Sequence, residues 1–533
     1  MILVALAVAV YLNALTNPFV FDDRTEVVEN GWILDIWDSQ VVLGNYLGNL
    51  SRPVVNLTYA IDYAGWGLNP FGYHLTNLLL HVAVVLLLAQ VGRRMMEDWS
   101  RRGPAGALRL PPPAEVGFWA AAVFAVHPLM TEAVGYVSGR SEMVCGIFFL
   151  GGVLLLRRAA LEMSFKWTVV AFVALVLGLG SKEVAGMLPL VFLLYDRLFL
   201  VRPGEFTAER FWKVHALGLV LIALAAPIRM ALLRIVDHPT GLTMYWAGTL
   251  FQPEVASRYL LLLAAPVSQS VVHQVYPVTS PADLRFIVPG VAWLGLFGAA
   301  WLLRRRLPVF TFGVGWFALL LVPSAALALL NLGQTMAEHR VYLASGGFFL
   351  LVGYGFARAT GRSDDGWRFA HPLALILVLV VLSVLTVNRN RVWADPVRLW
   401  ADAAAKAPNT WAANYGLADA LRSQGDCERA AASYQRAAML LPTRLEAFYG
   451  LASCLTETGR IDDARHVLLM ALARNPESPD AHLILAEFYE EIQKNPAEAF
   501  RLCTRAKALG ADARIADDCV ARNQNATAMS RPQ

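Results

Sequence analysis

Two adjacent carboxylates, Asp22 and Asp23, stand in the stretch NPFVFDDRTEVVEN (17–30), directly after the apolar run MILVALAVAVYLNAL. Five other stretches gather acids, bases and histidines at the ends of apolar runs: SRP (51–53), NPFGYHLTN (69–77), HPLMTEAVGYVSGRSE (127–142), SKE (181–183) and AEHRVY (337–342). Ionisable groups are expensive at a membrane boundary and are kept there for a reason. Carboxylates beside cations in such a place suit transfer of a group from a lipid-linked phosphate to a hydroxyl. Arg and Lys would stabilise the charge growing on the leaving phosphate, and a carboxylate would take the hydroxyl proton. A single displacement at a sugar carbon inverts its configuration and needs one base, as in inverting glycosidases. Residue types alone leave two readings open, an outward-facing lipid-side transferase and an ion-coupled transporter.

Each candidate has a structural rival. Asp22 or Asp23 is the base, with its neighbour orienting it or the acceptor; the rival is a helix N-cap pair. Arg52, Arg140, Lys182 and Arg340 are candidates for the donor phosphate, against interfacial anchoring by snorkelling. His74, His127 and His339, with Glu132 and Glu338, would shape the pocket, accept the incoming substrate or relay protons. For each histidine the rival is a hydrogen-bonded helix-end residue. Glu132 and Glu183 are expected to pair with Arg140 and Lys182. Adjacent acids could hold Mg²⁺ through waters, but no metal site is expected, and no cofactor.

The elements that must position these residues follow from composition. With 57% hydrophobic and only 16% charged residues, the chain reads as a polytopic membrane protein. Its net charge of +4 comes from basic residues beside apolar runs rather than on one basic face, so nucleic-acid binding is set aside. Runs long enough to span lie near 1–16, 74–91, 115–128, 142–156, 166–180, 184–200, 213–231, 286–303, 308–330, 341–357 and 371–387, an expectation of eleven transmembrane helices. The run 258–267 is too short and carries Pro266, so it reads as interfacial or re-entrant. With the N-terminus inside, alternate loops collect basic residues such as Arg93, Arg94, Arg157, Arg158, Arg304, Arg305, Arg362 and Arg368, whereas the first outward loop, 17–73, holds only Arg24 and Arg52. An odd number of spans then puts Asp22, Asp23 and everything after residue 388 on the outer face. The first apolar run lacks a basic n-region and a small-residue cleavage site, so it reads as a retained helix rather than a signal peptide.

After residue 390 a period appears. Ala418, Ala452 and Ala486 are spaced by 34 residues, as are Leu417, Leu451 and Leu485, while Ala464 to Ala499 is 35, one residue longer. This is the tetratricopeptide pattern of stacked antiparallel helix pairs. The domain reading is a membrane domain 1–390, a half-repeat linker 391–410, three repeats over 411–512, and a cap with a disordered tail at 513–533. Cys427–Cys454 and Cys503–Cys519 are possible disulfides by proximity, against buried free thiols. Asn56-Leu-Thr58 and Asn525-Ala-Thr527 match the glycosylation sequon by chance.

The blocks FVFDDRTEVVEN, SRPVVNLTYAIDY followed by WGLNPFGYHLTNLLLH, FAVHPLMTEAVGYVSGRSEMV, GSKEVAGMLPLVFLLYD and MAEHRVYLAS, in this order and followed by the repeats, resemble the transmembrane and tetratricopeptide-repeat-containing O-mannosyltransferases and their bacterial relatives. The resemblance implies an all-α architecture of the C-type glycosyltransferase fold with a repeat solenoid. It implies a sugar donor carried on polyprenyl phosphate, without the diphosphate that usually recruits a metal, and an acceptor met at the outer or lumenal face. It also implies that the acidic motif of the first outer loop is Asp22-Asp23. The Ala-, Leu-, Val- and Arg-rich composition points to a bacterial inner membrane with periplasmic repeats and an undecaprenyl carrier; a eukaryotic source would mean the endoplasmic reticulum and dolichol. The acceptor is expected to be protein Ser/Thr, with a surface glycan or lipid as alternatives. A non-catalytic membrane-anchored scaffold for envelope assembly is the competing class.

Overall fold

The apolar runs fold as helices because, in hydrocarbon, a backbone must satisfy its own hydrogen bonds. The computed structural model describes residues 1–36, 52–103, 109–202, 204–232, 245, 247–330, 334–360 and 370–529, without the side chains of 229, 232, 370, 371 and 525–529. Every regular element among them is helical. Contacts divide the chain into two units, one of residues 1–271 and 275–395, the other of 272–274 and 396–533.

The principal helices of the first unit are α1 (Ile2–Tyr11), α2 (Pro53–Trp66), α3 (Pro70–Arg102), α4 (Pro113–Val126), α5 (Thr131–Gly135), α6 (Arg140–Glu162), α7 (Phe165–Leu179), α8 (Leu188–Tyr195), α9 (Ala216–Leu232), α10 (Gln252–Ala264), α11 (Leu284–Leu303), α12 (Pro308–Leu329), α13 (Ser345–Thr360) and α14 (Ala370–Trp393). Each expected span falls on one of these, but the count of eleven is not reproduced. Six helices among the described residues are long and apolar enough to cross a membrane, seven if the bent pair Pro113–Val126 and Pro128–Gly135 is one span. Of the other five expected spans, that pair is bent by 60°, Ile2–Ala14 and Phe165–Leu179 are short, and those at 184–200 and 341–357 fall on α8 and α13, of 8 and 16 residues. Helix α10 has 13 residues, about 20 Å at 1.5 Å each, and cannot cross either. Arg362 and Arg368, read as inner-loop charges, lie outside the described residues.

Helix α3, the longest, starts at Asn69, whose side chain accepts the Phe71 N–H at 3.1 Å, with Pro70 at the first helical position. It packs on α4 and α6, and α4 packs on α13. Small residues allow this approach. A methyl group on Gly117 would stand 2.2 Å from the Ala89 carbonyl, and one on Gly353 2.6 Å from both Ala120 N and Val116 O. By contrast, α11 and α14 expose Leu284, Val291, Leu294, Leu373 and Leu377, a surface for hydrocarbon to cover.

The second unit contains α15 (Pro396–Lys406), the pairs α16 (Trp411–Ser423) with α17 (Cys427–Leu440), α18 (Glu446–Glu457) with α19 (Ile461–Arg474) and α20 (Pro479–Glu491) with α21 (Pro496–Ala508), and α22 (Ala513–Met529). The turns inside the first two pairs need a left-handed residue, supplied by Gly425 and Gly459 at φ 80° and 78°. The third repeat carries one extra residue, and there Lys494 takes the left-handed conformation at φ 51°. The expected disordered tail is instead helical to Met529; residues 530–533 lie outside the described residues.

Two glycines on α13 separate packing from propensity. Gly353→Ala should cost roughly 1–3 kcal/mol through a clash between rigid backbones, whereas Gly355→Ala, with nothing within 4 Å, should not lower stability. Thermal unfolding in detergent of both variants checks this; equal midpoints would contradict it.

Candidate active site

Two residues before Asp23, the chain reverses through Phe21 at φ 53°, a left-handed conformation that is costly for a bulky residue. A π-helical turn, Arg24–Val28, follows; such turns are frequent at functional sites. The two carboxyls differ in exposure, although both act on the Tyr136 hydroxyl. Asp23 is fully buried, and its Oδ1 accepts both the backbone N–H and the hydroxyl of Ser138 at 2.7 Å, while Oδ2 accepts the Val20 N–H at 3.1 Å. Asp22 is exposed, and its N–H donates to the Tyr136 hydroxyl at 3.0 Å. Burial lifts the Asp23 carboxyl from 3.8 to about 7, against the pull of the Ser138 and Val20 hydrogen bonds.

Arg140 is not placed for a lipid phosphate. Its guanidinium is buried, ion-paired to Asp62 at 2.6 Å, and donates to Asn77 Oδ1 at 2.7 Å and the Tyr73 carbonyl at 2.9 Å, with the Tyr59 ring 4.7 Å away. The expected Arg140–Glu132 pair is replaced by Arg140–Asp62, because α2 brings Asp62 alongside. Asn77 in turn donates to the carbonyls of Val134 and Tyr136, which fixes the turn carrying Tyr136 and Ser138. Asn56 of the sequon is fully buried in α2. The Asn525–Thr527 side chains lie outside the described residues.

The other cations do converge. Lys182 pairs with Glu142, not with Glu183. Burial works to raise the Glu183 carboxyl, yet Lys182, Arg52 and Arg340 hold it below its ordinary value. Arg52 also feels Glu26 and Glu142, and Glu26 lies between Arg52 and Asp22 in the same sense, attracted by one and repelled by the other. His339 stands in this group: burial first, then Lys182, Arg340 and Arg52 against the opposing pull of Glu142, push its imidazole down to about 3. Its Nδ1 is 2.6 Å from Glu132 Oε1, a carboxylate that pulls the other way. Glu132 also accepts the Glu338 N–H at 3.2 Å. Glu338 is buried and committed elsewhere, accepting the Ser270 N–H at 2.7 Å and the Gln269 amide at 3.3 Å.

Two of the three histidines serve the scaffold. His74 Nε2 is 3.0 Å from the Asn17 carbonyl and ties α3 to the start of the acidic loop. His127 accepts the Leu129 N–H at Nδ1, which leaves Nε2–H to donate to Leu263 O at 3.1 Å. The structure brings together Arg52, Lys182, Arg340, His339 and Glu132 with Glu142 and Glu183, and Asp22 is linked to this group through Glu26; Asp23, Arg140, Glu338, His74 and His127 hold the walls. Glu26 and Glu142 were passed over in the sequence, although Glu26 sits four residues after Asp22, one helical turn on. Among the described residues no group of three His, Cys, Asp or Glu is placed to hold a metal ion.

Two tetratricopeptide-repeat family models match the chain, over residues 421–488 and 389–444. Over most of its length the chain is similar to curated proteins: Protein O-mannosyl-transferase Tmtc1 of Drosophila melanogaster, 26% identical over 84% of this chain and 62% of that one; TMTC4 of Mus musculus, 25% over 80% and 64%; and TMTC3 of Homo sapiens, 22% over 89% and 55%. This chain therefore spans less than two thirds of these relatives' length. Among solved structures, yeast Tom70 aligns over 84% of this chain and 96% of its own, at 14% identity and a TM-score of 0.23.

Two substitutions test the walls. Arg140→Gln leaves Asp62 buried without its cation and should cost about 3–5 kcal/mol; adding Asp62→Asn should recover part of the loss, and no recovery would contradict the pairing. Asp23 binds its proton more tightly folded than unfolded, so its stabilising contribution is fully present below pH 3.8 and is lost as pH rises through about 7. The unfolding midpoint should fall more steeply between pH 5 and 8 in the wild type than in Asp23→Asn; equal slopes would refute this.

Proposed function

Taking as premise that this chain is related over 84% of its length to a protein O-mannosyl-transferase, we propose that it is a multi-pass membrane glycosyltransferase. The proposed reaction moves one hexose from a polyprenyl-phosphate carrier to a Ser or Thr hydroxyl of a polypeptide at the outer face, periplasmic or lumenal. The acceptor oxygen bonds to the anomeric carbon as the bond from that carbon to the phosphate oxygen breaks, so configuration inverts. Asp22 takes the hydroxyl proton. Arg52, Lys182 and Arg340 stabilise the departing polyprenyl phosphate, and His339, held by Glu132, borders it. No cofactor or metal is assigned a part.

The observation that carries this reading is the division of labour in the acidic pair. Asp23 is buried and occupied by Ser138 and Val20, whereas Asp22 is exposed on the turn that leads through Glu26 toward Arg52. A polypeptide acceptor is supported by the solenoid. Tyr415, Tyr449, Leu483 and Ile484, with Glu446 and Asp480 among them, line a groove of about 700 Å³, the kind of concave surface that receives extended segments.

The test is release of free polyprenyl phosphate from a panel of polyprenyl-phosphate sugars by purified protein supplied with acceptor extract. Asp22→Asn should lower the rate by about 10²–10⁴-fold, the typical contribution of a general base, with little change in donor KM, while Asp23→Asn should act mainly through stability. Release undiminished in Asp22→Asn would remove it as the base. No release from any donor by folded wild-type protein would favour a scaffold.

A further inference from the structure

The solenoid contains four cysteines in two pairs, and only one is joined. Cys503 and Cys519 form a disulfide between α21 and α22. Cys427, the first residue of α17, and Cys454, in the last turn of α18, face each other where these antiparallel helices meet. Their sulfurs are 2.7 Å apart, inside ordinary non-bonded contact and beyond a bond of about 2.05 Å. Both are buried, Cys454 completely. The Cys427 sulfur is also 3.0 Å from Glu457 Oε2, and Glu457 is in turn paired with Arg422 at 3.1 Å.

We propose that Cys427 and Cys454 are a second disulfide site, closing the joint between the first and second repeats. Closure is by thiol–disulfide exchange with a small-molecule disulfide or an oxidoreductase disulfide. Cys427, the less buried, attacks as thiolate and releases one thiol; Cys454 then displaces the second from the mixed disulfide. The two electrons pass to the reagent, and the two cysteine protons end on its released thiols. In the reduced form Glu457 holds the Cys427 proton: burial, then Cys454 and this carboxylate, push the thiol up to about 12. Glu457 is thus a brake on closure. Because it also lines the groove continuing past Tyr449 and Phe488, closure releases its Oε2 from Cys427 at the surface that would meet an extended partner, while Arg422 keeps Oε1. A disulfide already present in the same unit is what an oxidising compartment would leave.

The full chain in detergent, reduced and then equilibrated in a glutathione redox buffer, is denatured in excess alkylating reagent and digested without reduction. The expected product is a peptide pair linked through Cys427 and Cys454, lost on reduction. Recovery of both cysteines as separate alkylated peptides overturns the proposal, whether or not Cys503–Cys519 has reformed. Cys454→Ser should leave Cys427 alkylatable under the same conditions. Glu457→Gln should close the bond several-fold faster at neutral pH, because more Cys427 is then thiolate; an unchanged rate removes Glu457 as the brake. The readout is independent of glycosyl transfer.

Discussion

The buried Asp23 carboxyl, gripping the backbone and hydroxyl of Ser138, is the contact on which the geometry of the candidate site rests. It joins the first loop to the turn between α5 and α6, residues 115 positions apart in the chain. Around it the support is continuous. Asn77 fixes that turn, Arg140 fixes Asn77, and Asp62 neutralises Arg140. His74 holds the start of the loop from the other side. Asp23 is spent inward, while its neighbour Asp22 stays exposed beside the Tyr136 hydroxyl.

The same constraint sorts the remaining charges. A buried ion left unpaired costs several kcal/mol, so each ionisable group at the boundary is either locked to a partner or kept where a ligand can reach it. Arg140–Asp62 and Glu338 with Ser270 and Gln269 belong to the first kind. Lys182 with Glu142 also belongs to the first, while Arg52 and Arg340 act with Lys182 on Glu183 and His339, so that the positive charge is spread over several groups.

Periodic features were legible in the sequence, and long-range pairings were not. The 34-residue spacing gave the repeats because each helix pair meets its neighbour through the same small residues, and even the extra residue before Pro496 reappears as left-handed Lys494 in place of glycine. The polar clusters at the ends of the apolar runs were legible because charges interrupt those runs. What failed was partner choice. Glu132 was matched to Arg140 by closeness in sequence, yet it meets His339 from 207 residues away, and Arg140 meets Asp62. No spacing rule encodes which two helix ends lie side by side. Bends are hidden in the same way: hydropathy sees one apolar run where the pair Pro113–Val126 and Pro128–Gly135 is bent by 60°.

The central claim is that Asp22, not Asp23, takes the acceptor proton. Chemical rescue tests it most directly: glycosyl transfer by Asp22→Ala and Asp23→Ala is measured with and without added formate, a small base that can occupy the space of a missing carboxylate. The account predicts that formate restores turnover to Asp22→Ala, whose site is open to solvent, and not to Asp23→Ala, where the lost group was a buried anchor. Rescue of Asp23→Ala alone would contradict it and make the buried residue the base.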